Sequence, residues 1–180
     1  MRKLTVLSAV ITLSLFVIIL PAFAAPTHRA TFVVGQASFT VDGQFRQMDA
    51  KTFIENGRTY VPVRYLAYAL GVEDKNIVWN SKENRVSLTL PEKETNIIGD
   101  RTVVVGYEIT VQLQIGKDRL VSNKLELNNR RMDVTPVVRD GRTYLPARWV
   151  AEAFGYKLDW LPESQTVLVH PPGEEQPATN

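Results

Sequence analysis

Two arginines and two aspartates raise the first chemical question. Arg64 and Arg148 each stand two residues after a proline, Pro62 and Pro146, and Asp49 and Asp133 each stand 15 positions before their arginine. A planar guanidinium matches a carboxylate through two parallel hydrogen bonds. The spacing therefore predicts that Asp49 meets Arg64 and Asp133 meets Arg148, tying a strand to the start of a helix. The functional reading of the same residues is an arginine aimed at an anionic wall polymer. Other chemistry is sparse. The sequence has no Gly-x-Ser-x-Gly elbow, phosphate-binding loop, His-Glu-x-x-His or cysteine nucleophile. Asp159 and Glu163 form a carboxylate pair of the kind a glycosidase uses, but nearness in sequence does not set their geometry. The two histidines, His28 and His170, read as unrelated surface residues.

The elements that must position these residues occur twice. "NGRTYVPVRYLAYALG" (56–71) and "DGRTYLPARWVAEAFG" (140–155) lie 84 positions apart. Gly57, Arg58, Thr59, Tyr60, Pro62, Arg64, Ala67, Ala69 and Gly71 recur as Gly141, Arg142, Thr143, Tyr144, Pro146, Arg148, Ala151, Ala153 and Gly155. Upstream, Met48-Asp49 matches Met132-Asp133; downstream, Trp79 matches Trp160 and Val86 matches Val167 after a three-residue shortening. This is an internal duplication. Asn56-Gly57 and Asp140-Gly141 predict two-residue hairpin turns, whose central residues need positive φ. Pro62 and Pro146 suit the first helical position, which needs no backbone N–H. Val63, Leu66, Ala67 and Leu70 share one helical face, as do Ala147, Val150, Ala151 and Phe154. Gly71 and Gly155 end helices of about ten residues, too short to be stable unless packed on a sheet.

Strands are predicted at "ATFVVG", "SFTVDG", "NIVWN" and "RVSLTL" in the first copy, and at "EITVQLQIG", "KLELN", "KLDW" and "TVLVH" in the second; Ile109, Val111, Leu113 and Ile115 alternate with Thr110, Gln112 and Gln114, as in a half-buried strand. "RTVVVG" near Arg101 adds a strand between the copies. The resulting fold class is α+β: two tandem β-β-β-α-β-β modules, 30–95 and 96–170, each a small antiparallel sheet wrapped around one short helix. Trp79 and Trp160 are expected in the core, each indole N–H finding a partner. Tyr65 and Tyr68 lie three apart, off the apolar face of the first helix. They suit either packing against the other module or stacking on a sugar ring.

Residues 1–24 read as a secretory signal peptide, with Arg2 and Lys3, an apolar run to Leu20, and Ala22-Phe23-Ala24 before the expected cut. No stable membrane anchor is expected after cleavage. The chain has 21 basic and 19 acidic residues among 180, and losing Arg2 and Lys3 leaves 19 of each. That balance argues against a nucleic-acid partner, which demands a basic face. With no cysteine, stability comes from burial rather than disulfides. Residues 171–180 read as a disordered tail.

The doubled Gly-Arg-Thr-x-x-Pro-x-Arg, helix and glycine, each followed by a strand tryptophan, resembles the copper amine oxidase N-terminal domain, also called the stalk domain. The likeness covers about residues 30–170. Glu152 fits the family pattern where the first copy has Tyr68. The resemblance implies a small antiparallel sheet twisted around one helix. It does not imply oxidase activity, because the family's catalytic domain is separate. Copper(II) favours several imidazoles, whereas this chain has two histidines and no Asn-Tyr-Asp/Glu quinone precursor; Tyr107-Glu108 follows Gly106. The expectation is a secreted, non-catalytic protein without cofactor or metal, acting at the bacterial cell surface as a binding, spacer or assembly element. Its expected partner is a cell-wall polymer or another secreted protein. The alternatives are a cell-wall or polysaccharide hydrolase with an unrecognised site, and an accessory subunit of another secreted protein.

Overall fold

The computed structural model describes residues 26–98, 100–124 and 128–173. The expected leader, the end of the tail from residue 174, and residues 125–127 of the "KLELN" strand lie outside the described residues.

The first half runs β1 (Ala30–Val33), β2 (Ser38–Val41), β3 (Gln44–Gln47), β4 (Phe53–Glu55), β5 (Arg58–Pro62), α1 (Val63–Ala69), a 3-10 turn (Asp74–Asn76), β6 (Ile77–Asn80) and β7 (Arg85–Ile98). The second runs β8 (Arg101–Gln114), β9 (Arg119–Ser122), β10 (Arg130–Arg131), β11 (Val137–Arg139), β12 (Arg142–Pro146), α2 (Ala147–Ala153), β13 (Lys157–Leu161) and β14 (Thr166–His170). The α+β class holds, with five strands before each helix and two after it. β9 (RLVS) and β10 (Arg130–Arg131) flank the expected "KLELN" segment and are additions to the expected elements, and so is β3. All four of its residues are exposed, so it has no apolar alternation. It is held by the two-residue turn Asp42-Gly43, with φ of 51° and 76°, which sets Val41 opposite Gln44.

The expected hairpins are present. Asn56-Gly57 has φ of 52° and 70°, and Asp140-Gly141 has 49° and 70°. β4 pairs with β5 and β11 with β12 across these turns. Each helix has seven residues rather than about ten, and its proline ends the preceding strand instead of opening the helix. At the far end Gly71 and Gly155 adopt φ of 82° and 90°. Val72 N–H donates to the Ala67 carbonyl (2.9 Å) and Gly71 N–H to Tyr68 (3.2 Å); Tyr156 and Gly155 repeat this with Ala151 and Glu152 at 3.0 Å each. Both ends are Schellman caps, with Val72 and Tyr156 buried just beyond.

The strands form three antiparallel sheets ordered β13-β14-β1-β2-β3, β10-β9-β8-β7-β6 and β11-β12-β5-β4. Each sheet takes strands from both halves, so the halves are not laid out as self-contained modules divided at residue 95. The first two sheets are equivalents under exchange of the halves. Phe32 sits opposite Val167 in one, and the corresponding Leu113 sits opposite Val86 in the other. In the central sheet β5 and β12 pair so that Val61 faces Leu145, its own repeat equivalent. An approximate twofold axis therefore runs through that pair. Both side chains are fully buried, in one hydrophobic cluster built from both halves. Burial of a leucine of this kind stabilises by about 1.5–3 kcal/mol.

β7 and β8 make one long hairpin, each strand 14 residues. Its inner end alternates as expected, with Ile109, Val111 and Leu113 buried. The "RTVVVG" strand is the outer end of β8, continuous with "EITVQLQ". There Val103, Val104, Val105 and, on β7, Ile97 are exposed.

Candidate functional site

The repeated motif converges on two equivalent clefts. Each begins at a hairpin turn, where the glycine after Asn56 or Asp140 delivers an arginine to the first position of the next strand. Because β5 and β12 lie side by side and antiparallel, each turn falls beside the aspartate loop of the opposite half. Arg58 Nε donates to Asp133 Oδ2 (2.8 Å), Arg58 Nη2 reaches the same oxygen, and Nη1 donates to the Gly57 carbonyl (3.0 Å). Arg142 Nη2 lies 2.8 Å from Asp49 Oδ2. The position-65 equivalents finish each pair. Trp149 Nε1 donates to Asp133 Oδ1 (2.8 Å), and the Asp49 N–H donates to the Tyr65 hydroxyl (3.0 Å). Hydrogen bonds from Arg58, then Trp149, hold the Asp133 carboxyl below the usual carboxylate range. At Asp49 burial pushes upward, but the Tyr65 and Arg142 contacts outweigh it and the net shift is also downward.

The expected Asp49–Arg64 and Asp133–Arg148 pairs are thus replaced by pairs that cross between halves. Equal spacing misleads in two respects: the partner comes from the other half, and it is the arginine that follows the hairpin turn, Arg58 or Arg142, rather than the arginine of the helix. The helix arginines are left loosely held. Arg64 Nε is 3.5 Å from Asp74 and Arg148 Nη1 is 4.0 Å from Glu152, with side chains 59% and 47% exposed. Both contacts are too long for a strong hydrogen bond.

The tryptophans also differ from expectation. Trp79 is 46% and Trp160 is 37% exposed. Each stands opposite a valine, Val86 or Val167, on the same strand face, and those valines are buried. The indoles cover the core edge and leave the rest of their surface open. One cleft, about 260 Å³, is lined by Gly57, Arg58, Pro146, Arg148 and Trp160. The other, about 300 Å³, is lined by Gly141, Arg142, Pro62, Arg64 and Trp79, and also by Asp49, whose carboxylate is held by Arg142. Each cleft combines the turn of one half with the helix start and tryptophan of the other. Gly71 and Gly155 stand at the far helix ends and serve the fold.

Tyr65 and Tyr68 are half-buried against the core. Their rings meet edge-on at 6.2 Å, and Tyr65 also leans on Phe39 at 5.7 Å. The Tyr68 hydroxyl donates to Asp74 (2.8 Å). Packing occupies both rings, chiefly within their own half, although Tyr65 still borders the Trp79 cleft. The histidines are not two free surface groups. His28 Nδ1 is 2.7 Å from Asp42, while His170 is buried and 2.9 Å from Asp159, the carboxylate that sequence paired with Glu163. Among the described residues no group of three or more His, Cys, Asp or Glu is arranged to hold a metal ion.

No curated protein and no solved structure matches the chain. The family model of the copper amine oxidase N-terminal domain matches residues 40–169, a single match that spans both halves. That interval contains both hairpin turns, both helices and both tryptophans, so the chain belongs to the copper amine oxidase N-terminal domain family, the non-catalytic N-terminal domain of those oxidases.

Proposed function

We propose that this chain is a non-catalytic binding element, exported across the membrane and acting at the bacterial cell surface. The observation that carries this reading is the pair of equivalent clefts, each presenting a half-exposed tryptophan beside two arginines. An isolated exposed aromatic needs no explanation. The same aromatic–arginine combination built twice, with Arg64 and Arg148 only loosely held, favours recognition of a ligand. The non-catalytic character of the family supports the absence of a reaction in this reading.

The tandem repeat, in the form the chain carries it, is a duplication closed into one pseudo-twofold body. The open outer end of the β7–β8 hairpin favours a second role, as an accessory element that docks on another exported protein. The test has two arms. Intact-mass measurement of the exported protein should give a chain beginning at Ala25, and that mature protein should co-sediment with purified cell envelope. A chain retaining Met1 in the membrane fraction, or a mature chain that stays in the supernatant, overturns the reading.

A further inference from the structure

The two clefts have a chemistry that narrows the ligand. Arg58 and Arg142 are committed: each is tied to an aspartate of the other half and frames the cleft wall. Arg148 and Arg64 are the available cations, with only the 4.0 Å and 3.5 Å contacts to Glu152 and Asp74. Beside each stands an indole with 37% or 46% of its surface open, Trp160 or Trp79. A flat apolar face next to a planar cation suits a ligand unit with a C–H-rich face and an anionic substituent. The volumes, about 260 and 300 Å³, are at or below the bottom of the range for drug-sized ligands, roughly 300–1,000 Å³. They leave room for one ring. An extended nucleic acid is disfavoured by the balance of 19 basic and 19 acidic residues outside the leader.

We infer that each cleft seats one acidic sugar unit of an anionic glycan, with the tryptophan against the pyranose face and Arg148 or Arg64 on the carboxylate, giving two equivalent sites per chain. This rests on the reading of the protein as a binding element and names its ligand class. The duplication gives the inference its sharpest consequence, a stoichiometry of two. Arg58 and Arg142 are positioning residues here, because they hold the turn that forms the opposite wall.

The experiment is calorimetric titration of residues 25–180 with trigalacturonate, alongside neutral maltotriose and triglutamate. Trigalacturonate should bind at two equivalents and weaken as salt is raised. Maltotriose lacks the charge and triglutamate lacks the ring, so each should bind at least about tenfold more weakly, the factor expected for loss of one aromatic or ionic contact. Trp79→Ala and Trp160→Ala should each reduce the stoichiometry to one. Arg64→Gln and Arg148→Gln, whose side chains are the more exposed, should do the same with melting curves unchanged. The inference is overturned if wild-type protein fails to bind trigalacturonate, if triglutamate binds equally well, or if the Trp79→Ala/Trp160→Ala and Arg64→Gln/Arg148→Gln double variants, folded by melting, keep two sites. Retained envelope binding in those double variants would also remove the clefts as the ligand site, while leaving the binding-element reading intact.

Discussion

The exchange of arginine–aspartate pairs between the halves can be tested by a double-mutant cycle on Arg58 and Asp133. The side chains are 40% and 43% exposed, so solvent screens the charges. Exposed pairs are usually worth about 0.2–1 kcal/mol. Here two guanidinium nitrogens reach one carboxylate oxygen while Trp149 Nε1 fixes the other. That places the expected coupling in the upper part of the range, about 0.5–1 kcal/mol. Asp133→Ala should cost more than the coupling, about 1–2 kcal/mol, because it also strips the acceptor from the Trp149 indole. In a chain of this length a change of 1 kcal/mol moves the melting temperature by about 2–4 °C, so urea unfolding is the better assay. The control cycle is Arg148 with Asp133, the pair that equal spacing suggests, and its coupling should fall within the additivity error of about 0.3–0.5 kcal/mol. Stronger coupling in the Arg148 cycle than in the Arg58 cycle would refute the exchanged arrangement.

Gly57→Val and Gly141→Val should each destabilise by about 1–3 kcal/mol in urea melts, purely through backbone strain, since a Cβ at either site meets nothing within 4 Å and φ is 70°. Gly71→Ala should cost at least as much, because its Cβ would also stand 3.0 Å from the His28 ring. Asp133 and Asp49 have folded-state pKa values below the unfolded value of about 3.9, so their contribution is complete above that pH and lost as pH falls through the folded values. Stability measured against pH should therefore drop below about pH 4, and Asp133→Asn should flatten that drop. Tyr65→Ala with Tyr68→Ala should destabilise by about 2–3 kcal/mol, less than the 3–5 for a fully buried ring, read as a shift of the urea midpoint at unchanged slope.

Local chemistry made the turns and helix ends legible. Asn56-Gly57 and Asp140-Gly141 carry their own conformational requirement, and so do Gly71 and Gly155, so no tertiary information was needed. Alternation at Ile109–Ile115 identified the half-buried inner end of β8 for the same reason. β3 escaped because its residues show no buried alternation, although Asp42-Gly43 is the same turn signal used elsewhere in the chain. The arrangement of the halves was not legible. Pattern and spacing report which elements exist, and a strand whose partner lies in its own repeat reads the same as one whose partner lies in the other. The candidate site suffered from this twice. Equal spacing points to partners of Asp49 and Asp133 within repeats, and the recurrence of Trp79 and Trp160 points to core packing, although two copies of a surface cleft produce the same recurrence.

The long β7–β8 hairpin is the covalent bridge between the halves, yet it is one of several attachments that hold them together. β1 with β14, β5 with β12 and β7 with β8 are three separate seams that join one half to the other. A protease cut between β7 and β8 would therefore leave a nicked but associated body, with the lost linkage felt as dilution: reassembly would change from a first-order to a second-order process. The same seams can close between two molecules, each lending its second half to the other's first. The hairpin would then act as the hinge of an exchanged dimer that preserves these contacts. Because only two residues link Ile98 to its partner Arg101, the effective concentration of one half at the other is high enough to favour closure within one chain, and prolonged refolding at high protein concentration is where that preference would be lost.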